Sequence, residues 1–255
     1  MLRLAIRARR LFAHPLLLVA TTNANRQSHR RSHWQLADKS ETVPALPRFD
    51  GTTALIDLPL LALDTETTGL DPETDRIISL AAAQLLQGRL YLHQARNFLI
   101  DPGRPIPART TAIHGISDQQ VNGQPNFASR AAEVTSLLQD HVLLGHNVIF
   151  DAMMLKQEMA RIETDWQAPP ILDTMLLYAT VQPKARHFGL DLAARKLRVS
   201  LAGRHTALGD VLIALDLFYR LLPLLADRGI VTLGQAQTAS REALAWLRDR
   251  HRRNG

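Results

Sequence analysis

The sequence predicts an α/β fold, a mixed sheet flanked by helices, and three observations carry that reading. Leu60-Leu61-Ala62-Leu63 is an apolar run of central-strand type, bounded by turn residues. Residues 77–87 and 90–100, joined by a tight hairpin at Gly88-Arg89, read as two more strands forming an antiparallel meander on the edge of the first. Beyond them, short apolar runs alternate with stretches of helical spacing, the arrangement in which α/β folds present groups to ligands at strand ends.

The totals allow one full core and one catalytic domain with appendages: 255 residues, 46% hydrophobic and 21% charged. There is no cysteine, so a disulfide framework and any thiolate metal site are excluded, and a bound metal must use oxygen or imidazole. The net charge of +6 is unevenly placed. Residues 1–50 carry nine basic side chains against three acidic ones, and the last fifteen carry five against two. Residues 51–240 are left with 16 basic against 19 acidic. A mildly acidic centre between basic ends becomes attractive to a polyanion once divalent ions reverse its sign.

Residues 1–37 contain no acid and mix Arg, Ser, His and Leu, with an apolar stretch from Leu11 to Ala20 broken by His14 and Pro15. A secretory signal needs a cleaner apolar segment, and ten residues are too few to span a bilayer. An organelle transit peptide fits the composition, as does a basic arm that touches nucleic acid or a partner. We favour the arm, expect residues 1–50 to be mostly flexible with Pro44 and Pro47 marking a linker, and expect a cytoplasmic protein, or an organellar one on the transit-peptide reading. The resulting domain plan is an arm over 1–50, a catalytic domain over 51–230 and a basic C-terminal helix within 231–255.

The first strand breaks abruptly into Asp64-Thr65-Glu66-Thr67-Thr68-Gly69. The strand period of two puts Asp64 and Glu66 on one face, where two like charges call for something positive between them, most simply a divalent cation. Residues 101–125, rich in Pro and Gly, form a loop containing His114-Gly115-Ile116. Asn126 caps a helix running to about Asp140, and the strand Val142 to Gly145 stops at His146-Asn147. The helix over 148–161 carries Asp151 in its first turn, where an acid also compensates the helix dipole. Asp173, between a short strand and a helix, reads as a cap rather than a ligand. Leu190 to Leu197 is another short helix. A long apolar helix over 206–225 follows His205 and carries Asp210 early, and Ser240 to Arg253 is a basic amphipathic helix.

Asp64, Glu66, Asp151 and Asp210, each at a strand end or helix start, supply the oxygen ligands that two-metal phosphodiester hydrolysis needs, and His205 supplies a base that titrates near neutral pH. Asp64 to Gly69, Gly145-His146-Asn147 with Phe150-Asp151, and His205 followed by Asp210 resemble, in order, the three motifs of the DEDD exonucleases. The histidine places the chain in the DnaQ-like, His-variant branch, which includes the proofreading subunit of bacterial DNA polymerase III and RNA-trimming relatives. The resemblance covers about residues 58–225. It implies a ribonuclease-H-like fold with a five-stranded mixed sheet and release of nucleoside monophosphates from a 3′ end, from DNA or alternatively RNA, with two Mg2+ or Mn2+ ions. It also implies that Asp64, Glu66, Asp151 and Asp210 are metal ligands and His205 the general base. Thr67, Gly69, Leu70, His114, Ile116 and Asn147 would then line the 3′-terminal nucleotide. The implied partner is nucleic acid with a free 3′ end, together with a DNA polymerase or repair complex, although no clear peptide motif for docking on a sliding clamp is present.

Two rival readings remain. A haloacid-dehalogenase-like phosphatase would use Asp64 as a covalent nucleophile, but its second acid would be Glu66 rather than Asp, no suitably placed Lys stands out and His205 would go unused. A catalytically inactive nucleic-acid-binding module would rely on the basic ends, yet all five expected active-site residues are present.

Overall fold

The computed structural model describes residues 34–254 except Arg186 and His187. A seven-stranded sheet runs in the order β1-β4-β3-β2-β6-β7, with β5 also pairing with β3. The strands are β1 (Gln35–Leu36), β2 (Leu60–Thr67), β3 (Ile77–Leu86), β4 (Arg89–Leu90), β5 (Arg96–Leu99), β6 (Val142–Gly145) and β7 (Ile171–Asp173). The expected five-stranded mixed sheet is present as β5-β3-β2-β6-β7, and two strands of two residues each extend it. β2 pairs antiparallel with β3 and parallel with β6, which pairs parallel with β7. The helices are α1 (Ala108–His114), α2 (Asp118–Val121), α3 (Phe127–Leu138), α4 (Val148–Arg161), α5 (Thr174–Val181), α6 (Leu190–Leu197), α7 (Ala207–Ala226) and α8 (Leu233–Asn254). No helix among the described residues is long and apolar enough to cross a membrane.

β2 is the axis of the core, because its two faces feed two different hydrophobic layers. Leu60 and Ala62 join a cluster with Val211, Leu215 and Phe218 of α7. Leu61 and Leu63 join a cluster with Phe127 and Val134 of α3 and Met154, Leu155 and Met159 of α4. Each face is the product of strict alternation along a strand buried on both sides.

The meander departs from expectation in two ways. The hairpin turn is Gln87-Gly88 rather than Gly88-Arg89, with φ of 49° and 72°, the pair of left-handed residues that a two-residue turn matching strand twist requires. The single strand expected over 90–100 is split. Leu90 lies opposite Leu85 and Arg96 opposite Ala82, so six steps on one strand face three on the other, and the surplus forms a helical turn at Leu92–Gln94.

The expected loop over 101–125 contains two short helices. The first ends at Gly115, whose φ of 73° suits a residue without a Cβ, and the second opens on a capping box between Ser117 and Gln120. α3 starts at Asn126 as expected, its side chain accepting from the Ser129 N–H at 3.0 Å.

Most of the expected arm lies outside the described residues. Of its described part, Trp34 is buried and its Nε1 donates to Asp216 Oδ1 at 2.8 Å, while Gln35–Leu36 pairs parallel with β4. The C-terminal helix begins seven residues before Ser240, at Leu233. Leu233, Ala236, Ala239 and Ala243 are buried, and small side chains at this spacing let α8 lie close against α5 and β7.

One buried ion pair ties α4 to the loop that follows β2. Glu158, 1% exposed, accepts from Arg76 Nε at 2.8 Å and Nη2 at 2.9 Å and from the Ile77 N–H at 3.1 Å. Removing one partner of a fully buried pair costs about 3–5 kcal/mol, but Arg76 is 29% exposed and can be partly rehydrated. Glu158→Ala is therefore expected to lower stability by about 2–3 kcal/mol in urea denaturation. A loss below about 0.5 kcal/mol, the ordinary range for a surface change, would contradict the strut role.

Candidate active site

The alternation that builds the core also builds the site. Beyond Ala62, the face of β2 that packs on α7 presents Asp64 and then Glu66, and α7 answers with Asp210 in its first turn. One carboxylate oxygen from each of Asp64, Glu66 and Asp210 can be chosen so that all lie within 4.8 Å of one another. Asp210 is fixed there by its own loop: Thr206 caps α7, accepting from the Gly209 N–H at 3.1 Å and donating to Gly203 O at 2.7 Å. A side chain at Gly209 would collide with the Gly203 carbonyl, so the loop packs directly on the helix start.

Asp151 reaches the site from the other side of the strand. β6 pairs with β2 only over Leu60, Leu61 and Ala62, so the Thr65 N–H has no strand partner on that edge. Asp151 Oδ1 takes its place, accepting from the Thr65 N–H at 2.9 Å and from Thr65 Oγ1 at 2.6 Å. The start of α4 is held by Asp173, which accepts from the N–H groups of Asn147 at 2.9 Å and Ile149 at 3.4 Å. The same carboxylate accepts from the Met175 N–H at 2.9 Å, so Asp173 is the expected cap of α5 and also braces α4. His146 is locked between Thr174 Oγ1 at 3.0 Å and Phe188 O at 2.9 Å, and burial pushes its imidazole down to about 4.

The electrostatics follow from burial and like charge. Burial first, then the neighbouring charges of Asp151, Asp210 and Glu66, hold the Asp64 carboxyl well above the usual carboxylate range. Glu66 is pushed up to about 7 by burial and by Asp210. Asp151 is also pushed up to about 7 by burial, against the two hydrogen bonds from Thr65. Burial raises Asp210 as well, against the opposing charge of Arg204. Asp210 Oδ1 is buried with no hydrogen-bond partner. An orphaned carboxylate oxygen among crowded acids is the donor set a hard divalent cation satisfies, so Asp64, Glu66 and Asp210, with Asp151 adjoining, fit a metal site.

The remaining expected residues are placed less uniformly. His205 is exposed just ahead of α7 with φ of 67°, and its charge and main chain bear on Asp210. Thr67 is buried and donates to Gly69 O at 2.6 Å, shaping the exit from β2 after a bulge between Glu66 and Thr67. His114 closes α1, its Nδ1 accepting from the Ile116 N–H at 3.0 Å, and the Thr67 main chain lies against its ring. Ile116 packs beside Ile78, Ile106 and Val121. Leu70 is 85% exposed, a large apolar group left to solvent. Asn147 is exposed, with φ of 61°, and contributes its main chain to Asp173.

Sequence reading passed over Arg204, which bridges Asp210 Oδ2 at 2.6 Å and Asp191 Oδ1 at 2.5 Å. It also passed over Thr65, whose main chain and hydroxyl position Asp151. Thr65 had a signal, since it lies between two candidate ligands. Arg204 had none beyond its place next to His205.

A mixed sheet that ends in a partly buried acidic cluster, at a strand end and a helix start, is a site whose carboxylates could hold a divalent metal. The family model described as "Exonuclease" matches residues 61–218, and the chain belongs to that family. It is 37% identical over 207 residues to a DNA polymerase III subunit epsilon-like protein of Rhodobacter capsulatus, covering 78% of this chain and 29% of that protein. It is 28% identical over 199 residues to a DNA polymerase III PolC-type protein of Thermotoga maritima, covering 78% of this chain and 14% of that one. The chain thus spans less than a third of either relative. Among solved structures, Exonuclease X in complex with 5′ overhanging duplex DNA superposes with a TM-score of 0.55 at 21% identity, covering 71% of this chain and 99% of that one. E. coli Exonuclease I in complex with a dT13 oligonucleotide superposes with a TM-score of 0.59 at 20% identity, covering 68% and 42%. These likenesses establish the expected fold.

Raised carboxyl groups predict how cation binding depends on pH. Protons held up to about 7 on Glu66 and Asp151 compete with a cation below that pH and no longer compete above it. The rise in Tm on adding Mn2+ is therefore expected to be small at pH 5 and large at pH 8. A rise of equal size at both would contradict a site built from these acids.

Proposed function

We propose that the protein is a divalent-metal-dependent 3′-to-5′ exonuclease that releases nucleoside monophosphates from the 3′ end of DNA. The observation that carries this reading is the convergence of Asp64, Glu66 and Asp210 within 4.8 Å, with Asp151 held beside them through Thr65. In this reading the four acids hold two ions, Mg2+ or Mn2+. Such ions, when bound, neutralise the charge that builds up on a phosphodiester under attack and make water a stronger acid. In this reading His205, exposed just ahead of α7, takes the proton from the attacking water. Thr67 and Gly69 offer main chain to the terminal nucleotide, and Leu70, His114, Ile116 and Asn147 complete its binding surface. Leu70, 85% exposed, has an apolar face open to a base or sugar.

Family membership supports hydrolysis of nucleic acid, and the relatives named as polymerase III proteins support a polymerase or repair complex as partner. In the same reading the basic side chains within 1–50 and within the helix of 231–255 add phosphate contacts to the catalytic domain planned over 51–230, whose sheet also takes in Gln35–Leu36 and whose core takes in Trp34 and Leu233.

The test is release of mononucleotide from matched DNA and RNA strands labelled at the 3′ or the 5′ end, with Mg2+ or EDTA. Labelled mononucleotide released at once from 3′-labelled DNA, and only with metal, is the expected result. Label appearing first from the 5′ end would overturn the direction. Asp210→Asn is expected to abolish turnover while DNA binding survives, and His205→Ala to lower kcat by about 10²- to 10⁴-fold. Undiminished turnover in Asp210→Asn would remove the assignment.

A further inference from the structure

We infer that Arg204 is a resident counter-cation of the acidic site, holding Asp210 in the metal-free protein and yielding it when a divalent ion enters. The inference deepens the cation-binding reading above and rests on it. Three features carry it.

The first is the way the guanidinium divides its donors. Nη1 donates to Asp210 Oδ2 at 2.6 Å and Nε to Asp191 Oδ1 at 2.5 Å. The side chain of Asp210 is 7% exposed and that of Asp191 41% exposed, so Arg204 spans from the buried site to the surface. Release of the inner partner would leave the guanidinium with an anionic partner already in hand, in a region where water can complete its shell.

The second is which oxygen Arg204 leaves alone. Asp210 Oδ1 is buried and has no hydrogen-bond partner. The pairing of Arg76 with Glu158 elsewhere in this chain occupies both carboxylate oxygens, whereas Arg204 occupies one oxygen of Asp210. Here one oxygen is held and the other is left for a different positive charge.

The third is that the loop is anchored independently of the ion pair. The Arg204 N–H donates to Leu201 O at 3.1 Å, Thr206 N–H donates to Gly203 O at 3.2 Å, and Gly203 is packed against Gly209. The backbone of Arg204 therefore stays in place while its side chain changes partner.

A positive charge near the site stabilises crowded carboxylates when no metal is present and repels a dication that arrives. Removing the charge should strengthen metal binding, whereas an Arg204 that only oriented a ligand would, when removed, weaken it. The two roles have opposite signs.

The experiment is calorimetric titration of the full chain, stripped of metal with EDTA and dialysed, with MnCl2 at pH 8, using free Mn2+ by electron paramagnetic resonance as a second readout. Arg204→Gln is expected to bind Mn2+ at least 10-fold more tightly than the unaltered protein and to have a lower Tm without metal. Arg204→Lys, which keeps the charge, is expected to return affinity towards the starting value. Asp191→Asn, which leaves Arg204 with Asp210 alone, is expected to bind Mn2+ several-fold more weakly, and it keeps the test open should Arg204→Gln fold poorly. Equal or weaker Mn2+ binding by a folded Arg204→Gln, or unchanged binding by Asp191→Asn, would overturn the role of Arg204 and leave the metal reading standing. Absence of Mn2+ binding by the unaltered protein would overturn both.

Discussion

Mutual repulsion among carboxylates at the end of β2 is the constraint around which the structure is arranged. Two like unit charges at the 4.8 Å limit that encloses the Asp64, Glu66 and Asp210 oxygens repel by roughly 3–4 kcal/mol at an effective dielectric of about 20. That is a large share of the stability of an ordinary domain, roughly 5–15 kcal/mol. The chain meets it by burial that raises the proton affinity of the acids, by placing Asp151 and Asp210 in the first turns of α4 and α7 where the helix dipole favours negative charge, and by setting Arg204 beside Asp210. A site that is costly when empty of cations is stabilised most by the ions it is built to take.

The surrounding fold keeps the acids from relaxing apart. β2 is buried on both faces, so it cannot twist Asp64 outward without moving Leu61 and Leu63 out of one layer and Ala62 out of the other. β6 stops after pairing with only three residues of β2, which frees the Thr65 N–H for Asp151. Asp173 caps α5 and the beginning of α4 with one carboxylate, and Glu158 secures the last turn of α4 to Arg76. Each of these polar groups lies at or near the point where a regular element ends, where main-chain donors would otherwise go unmatched.

The parts of this arrangement that were legible in the sequence are those set by local rules. Alternation along Leu60 to Glu66 placed Asp64 and Glu66 on one face, capping rules located Asp173 and Asn126, and a long apolar run located α7. The elements that escaped depend on pairing across distance. Residues 90–100 begin and end in strand-forming residues, and the register against β3 shows that three of those between must coil into a helical turn. The helices within 101–125 are hidden by their Pro and Gly content, although Ser117 and Gln120 form a capping box that could have been read. Arg204 was illegible for a plainer reason, since it lies on a loop 13 residues after Asp191 of α6 and nothing in the intervening sequence announces the pairing.

The account stands on one physical claim, that these acids form a single cation-holding site. Anomalous scattering from a crystal soaked in manganese tests it most directly. The account predicts density about 2.1 Å from carboxylate oxygens of Asp64, Glu66 and Asp210, with Asp151 joining the shell as a second ion binds. Manganese found only at other acidic residues, with these carboxylates keeping their present partners, would contradict it.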